Sequence, residues 1–268
     1  MARSLPTLVT TLCLALHIQS CTCGEAEIIG GKKVKAHSLP HMALLLNSTG
    51  EPVCGGTLLS SRWVLTAAHC ADITMVYLGV NSIKKSQKDK SVQVQKVLKP
   101  YLHPRFNWDK KVNDLQLIKL DQEAKPTKTV KYLPLANVIP DPKEGTKCVV
   151  AGWGAVSLKK LKMSDVLMSA DVAVIKRETC NSPKYYNSNP VITPDMVCAG
   201  TLGKKWLKKK KDTCTGDSGG PLMCNGVQIG ITSFGESCGV KTKPGVYTFL
   251  SKEHIAWIKG TMRKSEFF

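Results

Sequence analysis

Several features are scarce or missing in this 268-residue chain, and each closes off a class of function. Past the first residues, no apolar run is long enough to cross a bilayer, which excludes a later transmembrane helix. No segment repeats at a fixed period, and no long linker of biased composition interrupts the chain, which argues against a solenoid or a string of modules. No Cys-x-x-Cys pair occurs after residue 23, which removes the commonest zinc framework. Acidic residues are few: 20 Asp and Glu stand against 38 Lys and Arg, for a net charge of +18. Such a surplus favours polyanionic partners and repels basic ones. The basic runs at 84–90, 159–162, 204–211 and 241–243 carry no nucleic-acid motif, and the single Trp206 among them is weak evidence for one.

The start of the chain reads as a leader. Arg3 supplies a positive end, residues 5–18 are mostly apolar but too few to span a membrane, and Cys21 and Cys23 are small. A retained anchor is the alternative reading. Residues 1–23 are thus expected to be a signal peptide. Of the eleven cysteines, Cys13, Cys21 and Cys23 fall in it, which leaves an even eight. An even count behind a leader points to disulfides formed in an oxidising compartment, although sequence alone does not choose their pairing.

The remaining composition, with 43% hydrophobic and 22% charged residues, suits one globular unit with a sizeable core. Period-two alternation in Val92-Gln93-Val94-Gln95, Asp171-Val172-Ala173-Val174 and Asp114-Leu115-Gln116-Leu117 predicts half-buried strands, the last beginning at the aspartate. The apolar run at 63–68 reads as a strand that ends at His69. Gly, Pro and Asn recur at short intervals, as an all-β barrel requires. Only residues 251–262 look helical, with Ser251 as N-cap and Ile255, Ile258 and Met262 along one face.

Three separated residues carry chemistry together: His69 in Thr66-Ala67-Ala68-His69-Cys70, Asp114 after Asn113, and Ser218 in Gly216-Asp217-Ser218-Gly219-Gly220-Pro221. A serine hydroxyl is a poor nucleophile at neutral pH. It needs a base to take its proton, and the base needs a carboxylate to fix its tautomer and steady its charge.

Through these motifs the chain resembles the trypsin-like serine proteases of the chymotrypsin fold, from Ile28-Ile29-Gly30-Gly31 to the C-terminal helix. Within that family it is most similar to the granzyme A and granzyme K pair, through Asn189-Pro190-Val191-Ile192, Asp195-Met196-Val197-Cys198-Ala199-Gly200 and Gly245-Val246-Tyr247. The resemblance implies an all-β fold of two six-stranded antiparallel barrels. The first covers about residues 28–135 and the second about 136–250, with a crossing at 121–136 and a C-terminal helix at about 251–262. It implies catalysis by His69, Asp114 and Ser218, and an oxyanion hole from the N–H groups of Gly216 and Ser218. It also implies the disulfides Cys54–Cys70, Cys148–Cys224, Cys180–Cys198 and Cys214–Cys238. Asp212, six residues before Ser218, falls where family members that cut after Lys or Arg place a pocket-floor carboxylate; a plain surface counter-ion is its alternative. Gly235 and Gly245 match positions that keep that pocket open, and Ser233-Phe234-Gly235 matches the segment that pairs with the substrate backbone. Many members carry Trp where Phe234 stands, which leaves the preference one residue before the Lys or Arg open.

Activation in this family follows when a new amine, here on Ile28, enters the protein and pairs with Asp217. Glu27 precedes the cut, so a trypsin-like activator fits poorly. Gly24-Glu25-Ala26-Glu27 reads instead as an acidic pro-segment of the kind a granule dipeptidyl peptidase removes, with an incidental Glu27 as the alternative. Losing Arg3, Glu25 and Glu27 together raises the net charge by one. The expected protein is therefore a secreted or cytolytic-granule serine endopeptidase. Its partners are proteins with Lys or Arg before the cut bond, protein protease inhibitors and sulfated proteoglycan, without membrane or specific nucleic acid. No cofactor or metal is expected. No cysteine lies between Cys70 and Cys148, where granzyme A-like proteins pair, so a monomer is expected. Asn47-Ser48-Thr49 is a lone glycosylation sequon. Two other readings stay open: a digestive or plasma trypsin-like protease, and an inactive cationic heparin-binding or antimicrobial granule protein.

Overall fold

The computed structural model describes residues 31–155, 163–200, 216–236, 240 and 242–265. After a short strand β1 (Lys32–Lys33), six strands close into an antiparallel barrel in the order β2-β3-β4-β7-β6-β5. These are β2 (Met42–Leu46), β3 (Pro52–Ser60), β4 (Trp63–Thr66), β5 (Met75–Leu78), β6 (Gln93–Leu102) and β7 (Gln116–Leu120). The second barrel holds β8 (Lys147–Gly152), β9 (Met168–Ile175), β10 (Met196–Gly200), β11 (Pro221–Cys224), β12 (Val227–Phe234) and β13 (Gly245–Phe249). Its sheet runs β9-β10-β13-β12-β11-β8 and closes where β8 pairs with β9. The chain therefore forms two six-stranded antiparallel barrels. Residues 121–146 pass between them without a strand, and β1 pairs with β9, so the first strand lies on the second barrel.

Local sequence explains these elements. All five residues of β2 are buried, because Ala43 and Leu45 join the core inside the first barrel while Met42, Leu44 and Leu46 pack on Ala151, Trp153 and Leu167 of the second. A strand covered on both faces reads as a continuous apolar run, not as alternation. β6 has solvent on one side, and its exposure largely alternates. Asn225-Gly226 joins β11 to β12 with positive φ at both residues, 52° and 79°, which is the two-residue turn that suits the twist of a hairpin. Cys54–Cys70, Cys148–Cys224 and Cys180–Cys198 are disulfide-bonded; Cys214 and Cys238 lie outside the described residues.

The C-terminal helix α2 (Lys252–Lys264) begins at Ser251, whose hydroxyl accepts the His254 N–H, and ends in the basic residues Arg263 and Lys264. A short helix α1 (Arg177–Asn181) was not legible in the sequence, because five residues carry too little periodicity. Two boundaries differ from the expected ones. β4 stops at Thr66, and a turn in which Cys70 N–H donates to Ala67 carries the chain through His69. β7 starts at Gln116: the Leu115 N–H turns back to the Asn113 carbonyl (2.9 Å), and the Asp114 carbonyl accepts from the Thr248 hydroxyl (2.9 Å).

Two imidazoles are buried in this frame. His41 is 9% exposed, and burial pushes its pKa from 6.5 to about 4. His103 is also lowered to about 4, by burial first and then by the charge of neighbouring His254. Both rings are neutral in the folded protein at pH 7, whereas the unfolded chain takes up these protons near pH 6.5. The stability they carry is full above about pH 6.5 and is lost as the pH falls toward about 4. A shift of this size at His41 corresponds to on the order of 3 kcal/mol. Thermal melts between pH 7 and 4 should show Tm falling across that window, and falling less in His41→Phe. Parallel curves for the two proteins would mean that His41 contributes nothing to the acid sensitivity.

Candidate active site

His69 and Asp114 both belong to the first barrel and are brought together by turns that follow β4 and precede β7. Asp114 is fully buried. Its Oδ1 accepts the His69 backbone N–H at 2.9 Å, while its Oδ2 lies 2.7 Å from His69 Nδ1 and accepts the Ser233 hydroxyl at 2.5 Å. A buried carboxylate is costly unless it is hydrogen-bonded, and here both oxygens are taken. With Nδ1–H directed at the carboxylate, the neutral ring carries its lone pair on Nε2, the form a proton acceptor needs.

Neighbours that sequence reasoning missed hold this pair in place. Buried Gln116 donates its amide to the carbonyls of Ala67 (2.8 Å) and Cys70 (2.7 Å), on either side of His69. The Cys54–Cys70 disulfide ties the same turn to β3. Thr248 holds the Asp114 backbone from β13. No periodicity or motif marks Gln116 or Thr248, since both partners are distant in sequence. Ser233 was expected to serve the substrate backbone, and the structure adds a side-chain bond to Asp114.

Ser218 sits on a tight turn just before β11, on the second barrel. Its carbonyl accepts the Gly55 N–H at 2.8 Å. Gly216 (φ 95°) and Gly219 (φ 77°) bracket it in left-handed backbone that a side chain rarely adopts. A Cβ on Gly219 would also lie 2.0 Å from Thr66 Oγ1, 2.4 Å from the Gly55 carbonyl oxygen and 3.1 Å from Ala67 N. The serine turn therefore packs directly against the segment that leads into His69. Among the described residues, no acceptor is paired with the N–H of Gly216 or of Ser218.

Asp217 is a second fully buried carboxylate, and its Oδ1 accepts the Gly154 N–H at 2.8 Å. Phe234 meets Tyr186 edge to face, with ring centroids 6.2 Å apart. Among the described residues, a Cβ on Gly235 would meet only Gly245 Cα, at 4.0 Å. Asn47 follows β2 in a turn. Its Oδ1 accepts from Thr49 and Glu51 N–H, and its Nδ2 donates to Glu51 at 3.3 Å. Among the described residues one cluster has metal-like spacing, Cys54, His69 and Cys70; its two sulfurs are joined to each other and offer no thiolate. Ile28 and Asp212 lie outside the described residues.

The seat of Asp217 depends on absent side chains. A Cβ on Gly154 would fall 2.5 Å from Asp217 Cγ. Gly154→Ala should therefore displace the carboxylate or its own strand end, at a cost of about 1–3 kcal/mol for overpacking. Calorimetry should read a Tm drop of roughly 5 °C. An unchanged Tm would show that this segment yields freely.

Comparison with known proteins agrees with this geometry. The Trypsin family model matches residues 28–258. Granzyme A of Bos taurus is 44% identical over 238 residues, covering 88% of each chain. Kallikrein-8 of Rattus norvegicus is 40% identical over 247 residues, covering 90% of this chain and 88% of that one. Among solved structures, that of neuropsin, a serine protease expressed in the limbic system of mouse brain, superposes with a TM-score of 0.75 at 38% identity, covering 87% of this chain and 98% of its own. A buried carboxylate on a histidine, a glycine-bracketed serine and two barrels thus coincide with a family match over most of the chain, and the protein belongs to the trypsin family of serine proteases and is a serine endopeptidase.

Proposed function

We propose that the chain cleaves proteins after Lys or Arg through an acyl-enzyme on Ser218. His69 Nε2 takes the Ser218 proton as the hydroxyl attacks the scissile carbonyl, and later returns it to the leaving amine. Asp114 keeps the proton on Nδ1 and stabilises the imidazolium. The N–H groups of Gly216 and Ser218 hold the oxyanion of the tetrahedral intermediate, each such donor being worth about 3 kcal/mol of barrier. The observation that supports this reading best is the His69–Asp114 contact at 2.7 Å, with the carboxylate fully buried. It leaves one ring nitrogen as a base and gives the charge that develops a fixed counter-charge.

Asp212 is the proposed partner of the substrate Lys or Arg, Gly235 and Gly245 the open walls of the pocket, and Ser233-Phe234-Gly235 the edge on which the substrate backbone lies. Residues 1–23 are proposed as signal peptide and 24–27 as pro-segment. Residues 28–268 are the mature protease, switched on when the Ile28 amine reaches buried Asp217. Storage in a cytolytic granule, a monomeric state and glycan at Asn47 complete the reading.

A fluorogenic peptide series gives the direct test. Wild type should turn over Lys and Arg substrates and leave neutral or acidic ones. Ser218→Ala should lose about a millionfold in kcat while remaining folded. Asp212→Asn should lose at least tenfold on Lys and Arg. Retention of a tenth of the activity by Ser218→Ala would exclude that residue as nucleophile, and an unchanged Asp212→Asn would move the specificity carboxylate elsewhere.

Sulfated proteoglycan is the proposed storage partner. Lys84, Lys85, Lys88 and Lys90 are all exposed on the segment between β5 and β6, which Asp165 anchors by accepting the Lys84 N–H at 2.8 Å. Binding to a dense polyanion releases counterions and so weakens steeply with salt. Heparin chromatography should elute the protein only at raised salt. Neutralising these four lysines together should lower the salt required and spare turnover of a small Arg substrate. Elution of wild type and variant at the same salt would leave these lysines to solubility.

A further inference from the structure

The residue before Asp114 is held as firmly as Asp114 itself. Asn113 adopts φ 55°, a left-handed conformation that costs a residue with a side chain about 1–2 kcal/mol. The Leu115 N–H donates to the Asn113 carbonyl at 2.9 Å, so Asp114 stands at the apex of a tight turn. The direction in which its carboxylate points therefore depends on what keeps Asn113 in place. Both ends of the Asn113 amide are engaged. Its Nδ2 donates to the Arg105 carbonyl at 2.9 Å, which turns its Oδ1 toward His254 Nε2, also at 2.9 Å.

His254 lies in the first turn of α2 and is 1% exposed. Its Nδ1 lies 2.6 Å from the Phe249 carbonyl, and its backbone N–H donates to Ser251 Oγ. The ring is packed edge-on by His103 at 5.5 Å, and Trp257 covers His103 at 4.9 Å. With Nδ1 against the Phe249 carbonyl and His103 packed on the ring, Nε2 is held facing Asn113. Thr248, just before Phe249, donates to the Asp114 carbonyl. One short stretch, 248–254, thus grips two consecutive residues of the first barrel: Thr248 takes Asp114 and His254 takes Asn113.

From this geometry we infer that His254 is a positioning residue for the hydrolytic reaction, holding the Asn113 amide and thereby the turn that aims the Asp114 carboxylate at His69. It acts through Asn113 and touches neither substrate nor the reacting atoms. The inference rests on the reading of Asp114 as the carboxylate that orients His69. A tilt of that carboxylate weakens the His69 contact and the stabilisation of the imidazolium. Substrate binding, set by the pocket on the second barrel, is left alone. The signature is a fall in kcat at constant KM.

His254→Phe keeps the packed ring and removes both nitrogens. Kinetics on an Arg ester and an Arg anilide, normalised to sites titrated by a covalent serine reagent, should show kcat reduced tenfold to a hundredfold with KM within twofold. His254→Gln places an amide N–H near the position of Nε2 and should recover most of that loss. Asn113→Gly, which keeps left-handed backbone accessible and removes no buried ring, should show the same kcat defect. The double variant His254→Phe/Asn113→Gly should be no slower than Asn113→Gly alone. Full kcat in Asn113→Gly, a double variant whose defects multiply, or a loss that Gln does not relieve would each overturn the proposal. Asp114→Asn separates the two levels. Wild-type activity there would sink the triad reading, whereas a loss of about ten thousandfold there with normal His254→Phe and Asn113→Gly would sink the positioning role alone.

Discussion

The structure turns on a negative charge with no access to water. Asp114 is fully buried, and an ionised carboxylate in that setting is unfavourable by several kcal/mol unless donors replace its hydration. Two of the donors come from His69 on the first barrel and the third from Ser233 on the second. The carbonyl of the same residue is held by Thr248, again from the second barrel. The carboxylate is therefore satisfied only when the barrels are docked. The same contacts that make the charge tolerable also set the histidine tautomer, so stability and chemistry share one requirement.

Asp217 repeats the pattern on the other side of the site. It too is fully buried, and the Gly154 N–H reaches it only because Gly152 and Gly154 bring backbone close where any Cβ would collide. Ser218 follows directly in the chain, so the seating of this acid determines where the serine turn lies. A protein with almost twice as many basic as acidic residues has placed two of its acids in the interior, one beside its histidine and one beside its serine. Most lysines among the described residues are exposed, where desolvation costs them little and where a polyanion can reach them.

Cross-links and apolar packing supply the rigidity that this arrangement needs. The Cys54–Cys70 disulfide and the Gln116 amide fasten the histidine turn from two directions. Between the barrels, Met42, Leu44 and Leu46 of β2 press on Trp153 and Leu167, so relative sliding would open an apolar seam. The C-terminal helix is part of the same frame, because His254 at its first turn reaches the residue beside Asp114.

Much of this was legible in the chain itself. The three motifs around His69, Asp114 and Ser218 are local, and glycine on both sides of a serine announces a tight turn in backbone that a side chain rarely adopts. The Ser251 cap is likewise a local signal, since it depends on a hydrogen bond a few residues long. Strand ends were less legible. The expected strand at Asp114 begins at Gln116 instead, because the Leu115 N–H turns back to the Asn113 carbonyl and makes a tight turn at Asp114, whose carbonyl Thr248 holds from more than a hundred residues away in sequence. The roles of Gln116, Ser233, Thr248 and His254 belong to the tertiary structure alone. Each is an ordinary polar residue whose partner is remote along the chain, and only closing and docking the barrels places donor beside acceptor. Sequence by itself determined which chemistry is present and which turns carry it; tertiary structure decided how the buried charge is satisfied, because that depends on distances no spacing along the chain encodes.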